Sequence, residues 1–474
     1  MAYDKKLPKK SENLSEWYNA IILQSELADY GLAKGTMIFR PYGYAIWEQV
    51  QKFMDNEFKA RGVQNAYFPL FIPESLLNRE KEHIEGFSPE LAVVTIGDGE
   101  ELKEKLIVRP TSETIMYEAY SRWIHSWRDL PMLINQWNNV VRWEKRTYLF
   151  LRTTEFLWQE GHTAHATHAE ALETVQWAMD TYIKTYQQLF AMPGITGRKS
   201  DSEKFAGADR TVSYETLMPE GKALQSATSH DLGQNFATSF NIEFQNQEGK
   251  NEHVWQTSWG LSTRSIGGLI MTHGDDKGLR LPPKLAPIQV IILPVRNTAE
   301  ISSLCENISR ELASVGIRVK VDADEKNTLG WRINDQELKG VPLRLEIGEK
   351  ELSSGQIKAV RRDTGEHEMV MLSDIKKKIS TLLESIQLNL YHEAQGFLNS
   401  SIHEAATYEE FKNLMESKKG FIRAFWCGDP VCEKKVKEET KATTRCLYKE
   451  GLKESKCIVC GNAATEQWYF AQAY

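Results

Sequence analysis

Four cysteines near the C-terminal end constrain the fold of that region more tightly than any other feature of the sequence. They form two close pairs, Cys427-x4-Cys432 and Cys457-x2-Cys460. Two short pairs suit one tetrahedral zinc ion, because each pair presents two thiolates to the same point. Two disulfides are the alternative, but the chain starts without an apolar signal core, and disulfides are rare in reducing compartments. We therefore predict a structural zinc site, with Cys446 as a buried thiol outside it.

The composition is that of a globular protein with several domains. The chain has 474 residues, and about 150 residues per domain predicts roughly three domains. Hydrophobic residues at 41% and charged residues at 26% exclude the disordered and fibrous classes. The formal net charge is −7, so an RNA partner would have to be bound by local basic patches. No apolar run approaches the about 18 residues of a membrane span, and we expect a cytoplasmic protein without membrane contact.

A proline-rich stretch, residues 281–287, divides the chain. Proline disfavours helix and donates no backbone hydrogen bond, as is typical of a linker. After it, strand-like and helix-like segments alternate, which indicates a small α/β domain. From about Ser400, charged helix-like sequence leads into the cysteine region, and the aromatic residues 467–474 are expected to dock on protein. The predicted domains are 1–283, 284–399 and 400–474.

The first region opens with a helical pattern over residues 43–61, followed by a strand-like segment that contains Pro69. Proline cannot donate to a sheet ladder, so we predict a strand at an edge or an interface. Neither of the two common glycine-rich phosphate-binding motifs occurs. Any phosphate would therefore have to be bound by side chains.

The alternation of side chains along residues 151–162 indicates a binding wall. If this segment is a strand, every second residue projects from one face. That face mixes a cation, aromatic rings, a carboxylate and an imidazole, whereas a half-buried strand normally alternates apolar with polar. Surface salt bridges around a core tryptophan are the alternative. The residues on this face are Arg152, Thr154, Phe156, Trp158, Glu160 and His162, with Arg142 and Glu144 sharing a face across the preceding loop.

Two further segments carry candidate ligand-binding groups. Thr111 and Glu113 follow a predicted strand over 105–108, and a hydroxyl and a carboxylate two residues apart suit an ammonium group. A helix N-terminal capping box explains the same residues equally well. In residues 254–271, a strand runs into a helix with Arg264 in its first turn. Arginine is disfavoured at that positive end, which indicates an anion.

In this order the segments resemble motifs 1, 2 and 3 of the class II aminoacyl-tRNA synthetases. The stretches RPTSE, WQEGHTAH, KFAGADR, QSATSH and SWGLSTR are similar to those of prolyl-tRNA synthetases. The region after Pro287 resembles the class IIa anticodon-binding domain. The cysteine-rich end resembles the C-terminal zinc domain of the archaeal and eukaryotic-like subgroup. The resemblance implies an α/β multidomain protein with an antiparallel-sheet catalytic core, an α/β anticodon-binding domain and a small zinc-binding α+β domain.

The resemblance also implies an activity. Such enzymes activate L-proline with ATP, with Mg²⁺ present, and pass it to the 3′ end of tRNA(Pro). The catalytic residues would be Arg142, which bridges the proline carboxylate and the α-phosphate, and Arg264, which holds the γ-phosphate and covers the adenine. Proline contacts would be Thr111, Glu113, Arg142, Trp158, Glu160, His162, His230 and Ser262. ATP contacts would be Arg142, Glu144, Arg152, Thr153, Phe156, Gln225, Thr228 and Arg264, with Phe156 stacking on the adenine. The zinc ligands would be Cys427, Cys432, Cys457 and Cys460.

Three expectations concern partners and editing. Motif 1 lies at the dimer interface in this class, which predicts a homodimer. Gly260 lies only 100 positions after Glu160, too short a span for the editing domain of many bacterial members. We therefore expect mischarging with alanine or cysteine, and a separate hydrolase that clears Ala-tRNA(Pro).

The sequence leaves three alternatives open. His162, His165 and His168 at three-residue spacing could form a metal face. Another class IIa synthetase, for threonine, serine or glycine, is the nearest rival function. A non-catalytic paralogue that binds RNA is the rival from another class, and it predicts loss of Arg142, Glu144 or Arg264. All three are present.

Overall fold

The architecture is described from a computed structural model that places residues 6–77, 91–453 and 455–474. In the first part a seven-stranded sheet has the order β3-β7-β8-β14-β11-β10-β9, antiparallel except between β3 and β7, and β4, β6 and β5 form a smaller sheet. The elements of this part are α1 (Leu14–Gln24), β1 (Ala28–Tyr30), β2 (Met37–Phe39), α2 (Pro41–Ala60), β3 (Gln64–Asn65), β4 (Phe71–Pro73), α3 (Glu74–Leu77), β5 (Ala92–Gly97), β6 (Glu100–Val108), α4 (Glu113–Trp123), β7 (Met132–Val141), β8 (Glu155–His165), α5 (His168–Lys184), β9 (Ile195–Arg198), β10 (Arg210–Leu217), β11 (Ala223–Gly233), α6 (Asn235–Phe240), β12 (Glu243–Gln245), β13 (Asn251–His253), β14 (Trp255–Ser262) and α7 (Arg264–His273).

A second sheet follows the proline-rich stretch. Its order is β16-β15-β17-β18-β19, with parallel pairing of β15 to β16 and to β17. The alternation of strands and helices predicted from the sequence is confirmed here. The elements are β15 (Val290–Pro294), α8 (Ala299–Ala313), β16 (Val319–Val321), α9 (Leu329–Leu338), β17 (Leu343–Ile347), α10 (Glu349–Ser354), β18 (Gln356–Arg361), β19 (His367–Met371) and the 26-residue α11 (Ile375–Ser400).

The C-terminal part is built on a third sheet, of order β20-β21-β25-β22. Its last strand lies inside that sheet, so the aromatic end of the chain docks on protein as predicted. The elements are β20 (Ile402–Glu404), α12 (Tyr408–Ser417), β21 (Phe421–Trp426), α13 (Pro430–Thr440), β22 (Ala442–Lys449), β23 (Ser455–Lys456), β24 (Ala463–Ala464) and β25 (Glu466–Gln472).

Local sequence explains where the helices beside the large sheet begin. Pro41 is the first residue of α2, where a missing N–H costs nothing. Thr167 caps α5 in a capping box with Glu170, whose carboxylate accepts a hydrogen bond from the Thr167 N–H at 3.2 Å. These helices bury Trp47 and Tyr182 against one face of the sheet. The opposite face carries the polar side chains Glu160 and His162, with a second hydrophobic cluster around Ala164.

Close contact between β8 and β14 fixes the spacing of the two central strands. Gly161 pairs with Trp259, and a Cβ added at Gly161 would lie 2.0 Å from the indole ring. Only glycine fits there without displacement of the ring.

Two predictions about strands need correction. The strand predicted for residues 151–162 starts only at Glu155, because Tyr148 and Arg152 pair across a tight turn with Phe150 at φ 62°. Arg152 and Thr154 therefore precede the strand. β3 does lie at the sheet edge, but it has two residues, and Pro69 lies beyond it. Among the described residues, no helix has both the length and the apolarity needed to cross a bilayer.

Candidate active site

The polar face of the large sheet carries a cavity of about 210 Å³. Strand β8 contributes alternate side chains to it, as the parity of the sequence predicted for Phe156, Trp158, Glu160 and His162. Strand β14 pairs with β8 in a register that sets Ser262 opposite Trp158. The cavity is lined by all eight residues predicted to contact proline and by five of the eight predicted to contact ATP: Thr111, Glu113, Arg142, Trp158, Glu160, His162, His230 and Ser262, with Phe156, Gln225, Thr228 and Arg264.

Glu160 is a buried residue of the cavity lining, and its carboxylate is already hydrogen-bonded within the protein. It accepts from the Ser112 N–H at 3.1 Å, the Asn138 amide at 2.8 Å and the Gln136 amide at 3.1 Å. Burial raises the pKa of Glu160, but the hydrogen bond and charge of His162 and the further hydrogen bonds outweigh it, and the pKa is lower than usual. Glu160 is thus a buried anion that orders its neighbours.

His162 is held between two carboxylates and a phenol. Its Nε2 lies 3.0 Å from Glu160, and its Nδ1 lies 3.2 Å from the Tyr117 hydroxyl. Burial lowers the pKa of His162. The charges of Glu113 and Glu160 raise this pKa by more than burial lowers it, so the net shift is upward. The ligand atoms of Glu113, Glu160 and His162 lie within 4.8 Å of one another. This corner of the cavity favours a cation.

Glu113 is the first residue of α4, yet the capping box offered as the alternative for this segment is not formed. Ser112 occupies the N-cap position without a capping hydrogen bond, and its hydroxyl donates to Glu160 instead. The Thr111 hydroxyl donates to the Glu113 carboxylate. Thr111 and Glu113 are buried and line the cavity, so their side chains face it and do not cap the helix.

His230 forms the opposite wall as a neutral ring. Burial, with the nearby charges of His162 and Lys199, lowers the pKa of His230 to about 3. Its Nδ1 is 2.9 Å from the Thr211 hydroxyl, and its ring packs on Phe205 at 4.7 Å between centroids. The His230 ring itself is therefore an uncharged part of the cavity lining.

Two arginines also line the cavity. The guanidinium of Arg142 is 5.4 Å from the ring centres of both Phe156 and Trp158, and its Nε donates to the Pro110 carbonyl at 3.1 Å. Arg264 begins α7, and its Nε donates to the Leu151 carbonyl at 2.9 Å. Burial and the charges of the other arginines lower the pKa of Arg264 to about 10, so it stays cationic near neutral pH.

A second, smaller cavity of about 30 Å³ adjoins the first. The two share Arg142, Phe156, Ser262 and Arg264, and the second adds the three remaining predicted ATP contacts, Glu144, Arg152 and Thr153. Arg152 and Glu144 form an ion pair at 3.7 Å, with 43% of the Arg152 side chain exposed. The surface salt bridge that the sequence offered as an alternative therefore exists, but both of its residues line the smaller cavity.

Sequence reasoning missed part of the cavity wall. Lys199, Glu203, Lys204, Phe205 and Thr211 also line it. The sequence marks residues 204–210 only through a family resemblance, which implies no particular role for them. The signal that could have found them is the cluster of two lysines and an aromatic ring in a glycine-containing loop.

The metal face considered for three histidines is wrong. Only His162 belongs to a potential metal group in the described part of the chain. His165 contacts the Thr163 hydroxyl at 2.8 Å. His168 contacts Asp231 at 2.8 Å and stacks on Trp255.

The four cysteines predicted to bind zinc come together. The Sγ atom of Cys427 lies 3.9 Å from that of Cys432 and 3.7 Å from that of Cys460, and all four sulfurs, with Cys457, lie within 4.8 Å of one another. A tetrahedron with Zn–S bonds of about 2.3 Å has edges of about 3.8 Å, whereas a disulfide needs about 2.05 Å. The residues fit zinc and not disulfides. Cys446 is fully buried in β22, as predicted.

Comparisons with known proteins agree with this arrangement. Residues 94–273 match the family model "tRNA synthetase class II core domain (G, H, P, S and T)", and residues 289–382 match "Anticodon binding domain". Residues 408–474 match "Prolyl-tRNA synthetase, C-terminal".

Relatives cover the chain from end to end. A proline–tRNA ligase of Rubrobacter xylanophilus is 51% identical over 99% of both chains. One of Natranaerobius thermophilus is 49% identical over 99% of this chain and 98% of its own. One of Lachnoclostridium phytofermentans is 48% identical over the full length of both. With this similarity and the class II core around its cavity, the chain belongs to the prolyl-tRNA synthetase family.

Proposed function

We propose that this chain is a proline–tRNA ligase that activates L-proline with ATP, releases pyrophosphate and transfers proline to the 3′ end of tRNA(Pro). The observation that carries the proposal is the position of Arg142, which lines both cavities. On one side lie the buried carboxylates Glu113 and Glu160, and on the other lie Arg152 and Glu144. The Arg142 guanidinium would therefore contact a bound amino acid on one side and a bound nucleotide on the other.

The larger cavity suits proline. Its secondary ammonium group needs an acceptor, which the Glu113 carboxylate would supply, and a negative field, to which the buried Glu160 contributes. Its ring needs an apolar wall, for which Trp158 is available, with His230 opposite. Thr111, His162 and Ser262 complete the proposed contacts. Glu160 would act mainly by orienting Ser112 and His162, because its oxygens are engaged within the protein.

The smaller cavity and its border suit ATP. Phe156 would stack on one side of the adenine. Arg264 would cover the other side of the adenine and bind the γ-phosphate. The remaining proposed contacts are Glu144, Arg152, Thr153, Gln225 and Thr228. Mg²⁺ would arrive with the triphosphate and offset its charge, and Glu144 is the carboxylate that lines this cavity.

Positioning and charge neutralisation would account for the first step. The proline carboxylate must attack the α-phosphate in line, although both groups are anions. A guanidinium at Arg142 can donate to both at once, and it stabilises the charge that develops on the phosphorus oxygens. No covalent nucleophile is required.

Proline-dependent exchange of pyrophosphate into ATP tests the function. Wild-type protein should exchange with proline and not with threonine, serine or glycine, and Arg264→Ala should lower kcat/KM at least about 100-fold. Arg296→Ala is the matched control, since that side chain is 78% exposed. Absence of exchange in the wild type, or equal exchange in wild type and Arg264→Ala, would refute the assignment.

We further propose that the chain mischarges alanine or cysteine and does not edit Ala-tRNA(Pro) itself. The support is the short span from β8 to β14, which consists of the sheet strands, α5, α6 and a small hairpin. A proline pocket rejects a substrate that lacks a methylene by only ~1–3 kcal/mol per group. A separate hydrolase would then clear the product. Unaided deacylation of purified Ala-tRNA(Pro) by this protein would contradict the proposal.

Other features complete the proposal. A structural zinc ion would bind Cys427, Cys432, Cys457 and Cys460. The chain would divide into the domains 1–283, 284–399 and 400–474, with tRNA bound by the second, and would work in the cytoplasm.

It would be a homodimer, and exposed apolar side chains near the predicted interface support this: Tyr67 is 71% exposed and Phe71 is 46% exposed. Sedimentation at a mass near 54.3 kDa would contradict the dimer.

A further inference from the structure

One wall of the larger cavity is a segment that we call the 199–205 loop, between β9 and β10. Lys199, Glu203, Lys204 and Phe205 line the cavity from it. The loop is tied to β10 by two hydrogen bonds: Lys199 N–H to the Thr211 carbonyl at 2.9 Å and Phe205 N–H to the Thr211 hydroxyl at 3.0 Å. Its position therefore decides the width of the cavity beside His230.

The outer side of this loop rests on a buried carboxylate from the C-terminal part of the chain. Glu433, in the first turn of α13, accepts hydrogen bonds from the hydroxyls of Ser200, at 2.8 Å, and of Ser202. The Thr444 hydroxyl donates to the same carboxylate. Glu433 is 6% exposed, so three hydroxyls converge on a carboxylate that water barely reaches.

A buried charge cluster holds the start of the same loop. Arg445 donates through Nε and Nη2 to one oxygen of Glu215, at 3.1 and 2.7 Å. Lys199 lies 3.4 Å from the other oxygen of Glu215 and 3.4 Å from the Arg445 carbonyl. The three side chains are at most 5% exposed. Because removal of one partner leaves buried charges unpaired, this cluster resists displacement.

We propose that Glu433 and Arg445 are positioning residues for substrate binding: from outside the catalytic core they hold the 199–205 loop in the place that completes the proline side of the cavity. The inference rests on the proposed function, since the loop matters to catalysis only if this cavity binds proline. Neither side chain lines the cavity, and each acts through Ser200, Ser202 or Lys199. The C-terminal part thus shapes the amino-acid site.

The test is the effect of Glu433→Ala on the steady-state parameters of proline-dependent pyrophosphate exchange. We expect the KM for proline to rise about tenfold or more, while the KM for ATP and kcat change less than about twofold. Glu433→Gln keeps the shape and an accepting oxygen, so it should restore most of the affinity. Glu438→Ala on the same helix is the matched control, because that side chain is 67% exposed.

The outcomes separate the two proposals. No exchange by the wild-type protein would refute the proposed function, whatever the variants do. Exchange by the wild type with an unchanged proline KM in Glu433→Ala would overturn the inference. A fall in kcat alone would also overturn it, since it would report a smaller folded fraction. If Glu433→Ala does not fold, Ser202→Ala, which leaves α13 intact, must show the same selective rise in the proline KM.

Discussion

The Nε2 atom of His162 lies 3.0 Å from a carboxylate oxygen of Glu160, and both side chains are at most 2% exposed. A buried pair of this kind is costly unless its hydrogen bonds are complete, and here Ser112, Asn138 and Gln136 complete those of the carboxylate. Both side chains line the cavity, and the pair links stability to pH.

Stability should fall as pH rises through the pKa of His162. This pKa is raised above its usual 6.5, so the stabilisation is fully present below pH 6.5 and is lost as pH rises through the folded value. The pKa of Glu160 is lowered from its usual 4.5, so its contribution is present above pH 4.5 and is lost as pH falls through the folded value. Urea unfolding from pH 5 to 9 should show a larger loss of free energy for wild type than for His162→Gln. Parallel curves of unfolding free energy against pH for wild type and His162→Gln would contradict this prediction.

Arg142→Lys should lower the kcat/KM of proline-dependent exchange about 100-fold. Lysine keeps the charge but cannot donate in a planar fork to two anions at once. Arg296→Lys, on an exposed side chain, is the control and should be neutral. Retention of more than half the activity by Arg142→Lys would show that charge alone suffices.

Glu113→Gln should raise the KM for proline at least about tenfold and leave the KM for ATP nearly unchanged. The change removes a buried negative charge from the proposed ammonium site while it keeps the side-chain shape. Glu248→Gln, with 72% of the side chain exposed, is the control. An equal rise in both KM values would place Glu113 outside the proline site.

The purified protein should contain about one zinc ion per chain. The Cys460→Ser variant should lose it, because three sulfurs and a hydroxyl bind zinc weakly. Cys305→Ala should retain it, since that residue is buried far from the cluster. Metal analysis after gel filtration gives the result. A metal-free wild type with all thiols reactive would exclude the site.

Gly161→Ala should destabilise the fold by about 1–3 kcal/mol or more, because the new Cβ would lie 2.0 Å from the Trp259 ring. Gly330→Ala is the contrasting case. It lies in α9 with no atom within 4 Å of a new Cβ, so it should be neutral or stabilise by up to about 1 kcal/mol. Denaturant midpoints of both variants test this. Equal denaturant midpoints for the two variants would mean that β8 and β14 can move apart to accommodate the new Cβ at position 161.

Much of the candidate site could be predicted because its signals are local. The alternation that brings Phe156, Trp158, Glu160 and His162 to one face follows from strand geometry once the segment is extended. The start of that strand could not be predicted in the same way. It depends on the turn between Tyr148 and Arg152, whose hydrogen bonds override the extended pattern of residues 151–154.

The sequence by itself determined the order of the parts, the alternation along β8, the cysteine pairs and the arginine at the start of α7. These depend on spacing along the chain, which sets how neighbouring side chains project. Only the tertiary structure decided that the Glu160 carboxylate accepts several hydrogen bonds from within the protein. It also decided that Glu433 accepts a hydrogen bond from Ser200, which lies 233 positions earlier in the chain. Such contacts join residues distant in sequence, so they exist only when the packing of whole sheets and helices brings them together.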